Sequence, residues 1–238
     1  MGPRHGQPDG EHRIDLTEHR TGLTLSWSGG KDSALALWNL RRGGTPPSVL
    51  LTVIDEESGA VAHHGVSGAL LRAQADAAAV ELVTVPVPAG GGNEVYEARL
   101  GAAFAAPPLN RAGAVAFGDL FLADLRAYRE ARMTEAGLEA RFPLWHADTH
   151  ALAHEFVAAG FRALVVSVDG ERLSPDFLGR ELDERFLAEL PPGVDPCGEN
   201  GEFHTFVFDG PVFERPLSVR PGARRSGERY AWLRIEAA

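Results

Sequence analysis

At 238 residues and 44% hydrophobic side chains, the chain is long enough for one large domain or two small ones with a buried core. A formal net charge of -10 argues against broad nucleic-acid binding, which draws on clustered Lys and Arg, and excludes it as the default reading. The longest apolar runs, such as residues 161–168 (FRALVVSV), fall far short of the roughly 18 to 20 residues that span a bilayer. Cys197 is the single cysteine, so no intrachain disulfide can form, which fits a reducing, cytoplasmic setting.

Residues 1–20 carry Gly, Pro, His and charge without an apolar run and read as a disordered tail. Beyond them short apolar runs alternate with helical stretches. A buried strand is predicted over 23–27 (LTLSW) and a helix over 33–41. A strand over 48–54 is followed by a helix over 66–79, then by strands at 81–87 and 113–119. A helix over 121–136 leads to a fifth strand at 138–145. The strands are continuously apolar rather than alternating, as in a parallel sheet covered by helices on both faces. After residue 145 the pattern changes. Asp148 or Thr149 can cap a helix that ends at Gly160, a strand covers 161–169, a charged helical segment covers 176–190, and apolar strands follow at 203–208 and 230–235. A division near residue 146 is expected, with one unit over 21–145 and a smaller one over 146–238.

Between the first strand and the first helix stands SGGKDS, residues 28–33. Lys31 is the only lysine among 23 basic side chains; its ammonium is a compact point charge that arginine's flat fork does not replace in a narrow loop. A Gly-rich strand-to-helix turn offers backbone N–H groups and a helix N-terminus to an anion. The amides of Gly29 and Gly30, the hydroxyls of Ser28 and Ser33 and the Lys31 ammonium would complete a phosphate cradle. The spacing is not that of GxxxxGK[ST], because no residue separates the glycine pair from the lysine. Asp32 beside a polyphosphate calls for a bridging cation, so Mg2+ is expected with Asp32 as its ligand. The competing reading is a tight turn with a capping serine and a solvated Lys–Asp pair.

The SGGKDS loop resembles the pyrophosphate-binding loop of the adenine nucleotide alpha-hydrolase superfamily, whose members cut ATP between the α and β phosphates. HGV (64–66), NEVYE (93–97), GDLFLADLRAYRE (118–130), FPLW (142–145), LGRELDERFLAEL (178–190) and DPCGENGEFHTFVFDGP (195–211) are similar to segments of the diphthine-ammonia ligase family. The resemblance implies an α/β, HUP-like fold with a five-stranded parallel sheet and a smaller C-terminal α+β lobe, the unit over 21–145 binding ATP and the lobe over 146–238 taking substrate and ammonia. It also implies an AMP-forming ligase that uses ATP and Mg2+ to adenylate a carboxylate and amidates it with ammonia. The acceptor would be diphthine, a modified histidine on translation elongation factor 2, where the diphthamide pathway is present and another carboxylate where it is not, and association as a homodimer is left open.

The remaining candidates have plain readings too. Glu199 and Glu202 flank an Asn-Gly turn, yet with His204 they open a strand apolar on both faces, where one of the three could take a proton from an incoming amine. Gly118 and Asp119 end the fourth strand, where a ligand-facing carboxylate or a helix N-cap is expected. Arg126 and Glu130 read first as an ion pair four residues apart, and Arg126 only secondarily as a site residue. His64 is expected near nucleotide or substrate, with His63 facing solvent. Cys197 reads as a buried thiol, since sulfur-transferring relatives use a cysteine pair. Two other functions compete with the ligase: a nucleotide-binding regulator that does not turn ATP over, and a tRNA-modifying enzyme.

Overall fold

The computed structural model describes residues 20–61 and 65–238, so the expected tail before residue 20 and the His63–His64 pair lie outside the described residues. β1 (Gly22–Ser26), β2 (Val49–Asp55), β3 (Glu81–Val87), β4 (Ala112–Ala116) and β5 (Glu139–Arg141) form one sheet. Their order is β3-β2-β1-β4-β5 and every neighbouring pair is parallel. Successive side chains serve opposite faces, as the strand pleat requires. Leu50, Ala114 and Ala116 join the apolar cluster of α1 (Lys31–Arg42) and α2 (Gly68–Ala77), whereas Val49, Leu51 and Val115 join Phe104 of α3 (Gly92–Phe104) and Met133 of α4 (Ala123–Glu135). Both faces are therefore covered, which is why these strands carry no polar alternation.

The C-terminal part adds α5 (Thr149–Ala158), β6 (Arg162–Asp169), α6 (Glu184–Ala188), β7 (Phe203–Asp209), β8 (Val219–Ser226) and β9 (Tyr230–Ala237). The four strands make an antiparallel sheet in the order β7-β6-β9-β8. Asp148 caps α5 by accepting from the Ala151 N–H at 2.8 Å, as its residue type suggests. The apolar cluster on the α1/α2 face continues through Phe156, Val165 and Phe206, so the second sheet shares a core with the first. Among the described residues no helix is long and apolar enough to cross a membrane.

Several elements depart from expectation. The fifth strand stops at Arg141 because Pro143 cannot donate to the ladder, and the FPLW segment turns instead. The charged stretch 176–190 yields only the short α6 and a 3-10 turn at Pro175–Phe177. α3 escapes a periodicity reading because Phe104 is its only buried residue and no apolar stripe marks a face. β8 (VRPGARRS) is a strand that the sequence does not announce; it pairs with β9 at the sheet edge, where proline is tolerated and the register shifts between Pro221 and Arg224.

Candidate active site

β1 and β4 lie side by side, but α1 leaves β1 across one face and α4 leaves β4 across the other, so their carboxyl ends form the switch point where α/β sheets bind ligands. SGGKDS occupies that position after β1. Gly29 holds φ +79°, and a Cβ there would lie 2.6 Å from Gln74 Oε1, so the turn admits only glycine. Gly118 lets the β4 loop close on this turn, because a Cβ would come within 3.0 Å of the Asp32 carbonyl carbon.

The loop is anchored from the C-terminal sheet. Gly29 O accepts from Val207 N at 2.9 Å, and Lys31 N donates to Thr205 Oγ1 at 3.1 Å. Gln74 is fully buried and ties three segments together: its Oε1 accepts from Trp27 Nε1 at 3.0 Å, and its Nε2 donates to Gly29 O at 2.9 Å and to Val207 O at 2.6 Å. Ser33 Oγ donates to Gly30 O at 2.9 Å, and Gly30 N donates to Ser28 Oγ at 3.3 Å. The Gly30 and Lys31 amides thus already have internal acceptors, which an incoming phosphate would have to replace.

Around the loop lies a cavity of about 790 Å³, lined by Ser28, Gly30, Lys31, Asp32, Ser33, Gly118, Asp119, Arg129, Glu199, His204 and Thr205 among others. The Lys31 side chain is 5% exposed; its Nζ donates to both Asp32 oxygens at 2.8 Å and stands 3.9 Å from Glu199 Oε1. Burial works against the ammonium, but Asp32 foremost and Glu199 outweigh it and hold the Lys31 pKa above its ordinary value. Burial, reinforced by Asp32, pushes the Glu199 carboxyl up to about 8 although Lys31 opposes the shift. Asp119 is likewise raised by burial and by Asp32, partly offset by Arg129, whose Nη1 is 3.0 Å from Asp119 Oδ2. That contact is out of hydrogen-bonding alignment, and Asp119 Oδ2 is buried without a hydrogen-bond partner.

The structure brings together Ser28, Gly30, Lys31, Asp32, Ser33, Gly118, Asp119, Glu199 and His204 in this one cavity, with Gly29 in the turn behind it. Asp119 does not cap α4, whose N-cap residue is Leu122. Glu202 is not in the cavity lining: it is 1% exposed, and its oxygens accept from Asp195 N at 3.1 Å, Asn200 N at 2.9 Å and Asn200 Nδ2 at 3.0 Å. Cys197 is buried and donates to Thr149 O at 3.3 Å; burial, opposed by Lys31, pushes its thiol up to about 12. Arg126 donates to Glu130 at 2.7 Å and lies over the rings of Phe142 and Trp145, away from the cavity.

Three contributors escape the sequence reading. Arg129 shares the inward stripe of α4 with Leu125 and Met133 at four-residue spacing, so a charge inside an apolar stripe was the available signal. Thr205 and Gln74 carry no such signal, since their partners are 174 and 45 residues away.

No group of three or more His, Cys, Asp or Glu among the described residues has the arrangement of a metal site. The orphaned Asp119 Oδ2 and its neighbour Asp32 nevertheless have the hard oxygen chemistry that fits a divalent cation.

Comparison with known proteins identifies the family. Residues 22–140 match the diphthamide synthase N-terminal domain and residues 148–238 match the diphthamide synthase C-terminal domain. A diphthine–ammonia ligase of Danio rerio is 38% identical over 81 residues, covering 32% of this chain and 32% of that protein. The Homo sapiens diphthine–ammonia ligase is 37% identical over 81 residues, covering 32% of this chain and 30% of that protein. The Schizosaccharomyces pombe one is 28% identical over 107 residues, covering 42% of this chain and 18% of that protein. These matches span less than a third, or about a third, of the length of the curated relatives. With two family domains that between them run from residue 22 to residue 238, and with their junction falling between the two sheets, the chain belongs to the diphthamide synthase family.

Proposed function

We propose that this protein is an AMP-forming amide ligase that adenylates the carboxylate of an acceptor with ATP and amidates it with ammonia. The observation that carries the reading is the meeting of two distant segments in one cavity: Lys31 of the Gly-rich loop stands 3.9 Å from Glu199 of the CGENGEFHT segment. In the first step the acceptor carboxylate oxygen attacks the α-phosphorus and the bond to pyrophosphate breaks. Lys31, at the N-terminus of α1, meets the charge that develops on the leaving pyrophosphate, with the Ser28 and Ser33 hydroxyls beside it. Asp32 and Asp119 would hold a divalent cation, whose chemistry there is to neutralise charge between carboxylates and phosphates.

In the second step ammonium must lose a proton before its nitrogen can attack the acyl carbon and displace AMP. Glu199 suits the role of base, because it faces the cavity and its carboxylate is not committed to the hydrogen bonds that occupy Glu202. Glu202 then shapes the 195–202 loop, and His204 lines the wall beside it. By the name its relatives carry, the acceptor is diphthine, and on the resemblance its bearer is translation elongation factor 2. In this reading ATP is handled by residues 21–145 and ammonia by residues 146–238. A lone buried thiol is compatible with a cytoplasmic location.

The test is chromatography of nucleotides after incubating the protein with ATP, Mg2+, ammonium and diphthine-bearing elongation factor 2. AMP and pyrophosphate that require both ammonium and the factor are expected. Lys31→Ala should slow their formation by about a hundredfold to a thousandfold, the usual cost of one transition-state charge contact. Unchanged ATP, or ADP, overturns the ligase reading and favours a nucleotide-binding regulator.

A further inference from the structure

A second cavity, of about 660 Å³, opens between α3 and α4 and shares Ser26, Leu125 and Arg129 with the cavity around the Gly-rich loop. Both volumes lie in the range of ordinary ligand pockets. A ligase that joins ATP to a carboxylate has two substrates of this size to seat, and they must meet at a common wall.

The chemistry of the second cavity differs from that of the first. Its floor is apolar, from Leu100, Phe104, Phe117 and Met133. Its two acids are already paired: Glu97 accepts from Tyr128 Oη at 3.0 Å and from Arg132 Nη1 at 3.1 Å, and Glu135 accepts from Arg132 Nη2 at 2.6 Å. Arg129 is the cation at the shared wall, 3.0 Å from Asp119 on the loop side and with its guanidinium 4.3 Å from the Phe117 ring centroid. A guanidinium in that position can turn one edge of its fork to an incoming carboxylate while the rest stays on the ring. Adenine carries no charge for it to read.

We infer that the α3–α4 cavity is the acceptor site: it takes a carboxylate carried on an apolar or ring-bearing stem, and Arg129 aims that carboxylate toward the Gly-rich loop. The inference rests on the ligase reading above. The stem is desolvated against Phe104, Phe117 and Met133, and the carboxylate alone crosses the shared wall. Residues of α3, which no part of the ATP chemistry uses, thereby become determinants of acceptor specificity.

Gly101 supplies the test. It lines this cavity but not the loop cavity, and a Cβ built on it meets nothing within 4 Å, so a larger side chain enters open space. Helix propensity favours the replacement over glycine. Full-length wild type, Gly101→Ala and Gly101→Trp are compared for their affinity toward diphthine-bearing elongation factor 2, in the presence of a non-hydrolysable ATP analogue. ATP affinity, melting midpoint and AMP formation are measured alongside. Gly101→Trp is expected to weaken acceptor binding and raise acceptor KM at least tenfold, with ATP affinity and melting midpoint unchanged and Gly101→Ala close to wild type. Equal acceptor affinity in wild type and Gly101→Trp, including no binding in either, overturns the assignment. Weakened ATP binding with acceptor affinity intact also overturns it and gives the cavity to adenosine. Absence of AMP formation in the wild type, by contrast, overturns the ligase reading itself, while the binding comparison still decides the cavity.

Discussion

Gln74→Met removes the side chain that joins the Gly-rich loop to the second sheet while keeping its volume. Gln74 is 0% exposed and makes three hydrogen bonds, from Trp27 Nε1 at 3.0 Å and to Gly29 O and Val207 O at 2.9 and 2.6 Å. Without it the buried Trp27 N–H has no acceptor, which costs about 1–3 kcal/mol. Two carbonyls each lose a donor, at about 0.5–1.5 kcal/mol apiece, although Gly29 O keeps the Val207 N–H. A loss near 3 kcal/mol is therefore expected, within the roughly 5–15 kcal/mol that holds a domain together. At about 2–4 °C per kcal/mol for a chain of this size, the melting midpoint should fall by about 6–12 °C. Because Gly29 sets the entry to α1, ATP affinity should weaken by about tenfold, or about 1.4 kcal/mol. Urea denaturation gives the first quantity and titration calorimetry the second. Trp27→Phe is the control, since it leaves both carbonyl anchors in place and should leave ATP affinity at the wild-type value. A Gln74→Met protein within 1 kcal/mol of wild type and unaltered in ATP affinity would refute the claim that this bridge positions the loop.

Two further outcomes follow from the titrating groups. The folded-state pKa of Glu199 is raised to about 8, so the native chain binds a proton that the unfolded chain releases near the ordinary carboxylate value. Its stabilisation is present in full below about pH 4 and is lost as pH rises through 8. Glu199→Gln should accordingly melt above wild type at pH 9 and close to it at pH 5, and should lose about a hundredfold or more of AMP formation if the carboxylate accepts the ammonium proton. A gap that widens toward acid would refute the sign of this linkage. With its thiol pushed up to about 12, Cys197 should alkylate about a thousandfold more slowly at pH 8 than an exposed thiol, read by mass spectrometry of iodoacetamide-treated protein. Cys197→Ala should keep AMP formation within about twofold, and rapid labelling or loss of activity would make the thiol a catalytic candidate again.

Much of the parallel-sheet architecture was legible in the linear chain because its causes are local. A glycine pair between an apolar run and a helical stretch marks a strand-to-helix turn, and runs without polar alternation mark strands covered on both faces. Asp148 before an apolar helix marks a cap. α3 and β8 were not legible for equally physical reasons. One helix buries almost nothing, and the edge strand carries Pro, Gly and Arg because an edge need not satisfy every donor.

The composition of SGGKDS, the lone lysine and the acidic turn at 199–202 were decided by sequence alone, and with them the expectation of an anion-binding loop. Which acid faces the cavity was not, because Glu199 and Glu202 are three residues apart in one turn and only the fold turns one toward Lys31 and the other onto Asn200 and Asp195. The same holds for Arg129, Thr205 and Gln74. Each acts through a contact that closes a long loop of chain, and no local preference encodes which distant strand will arrive there.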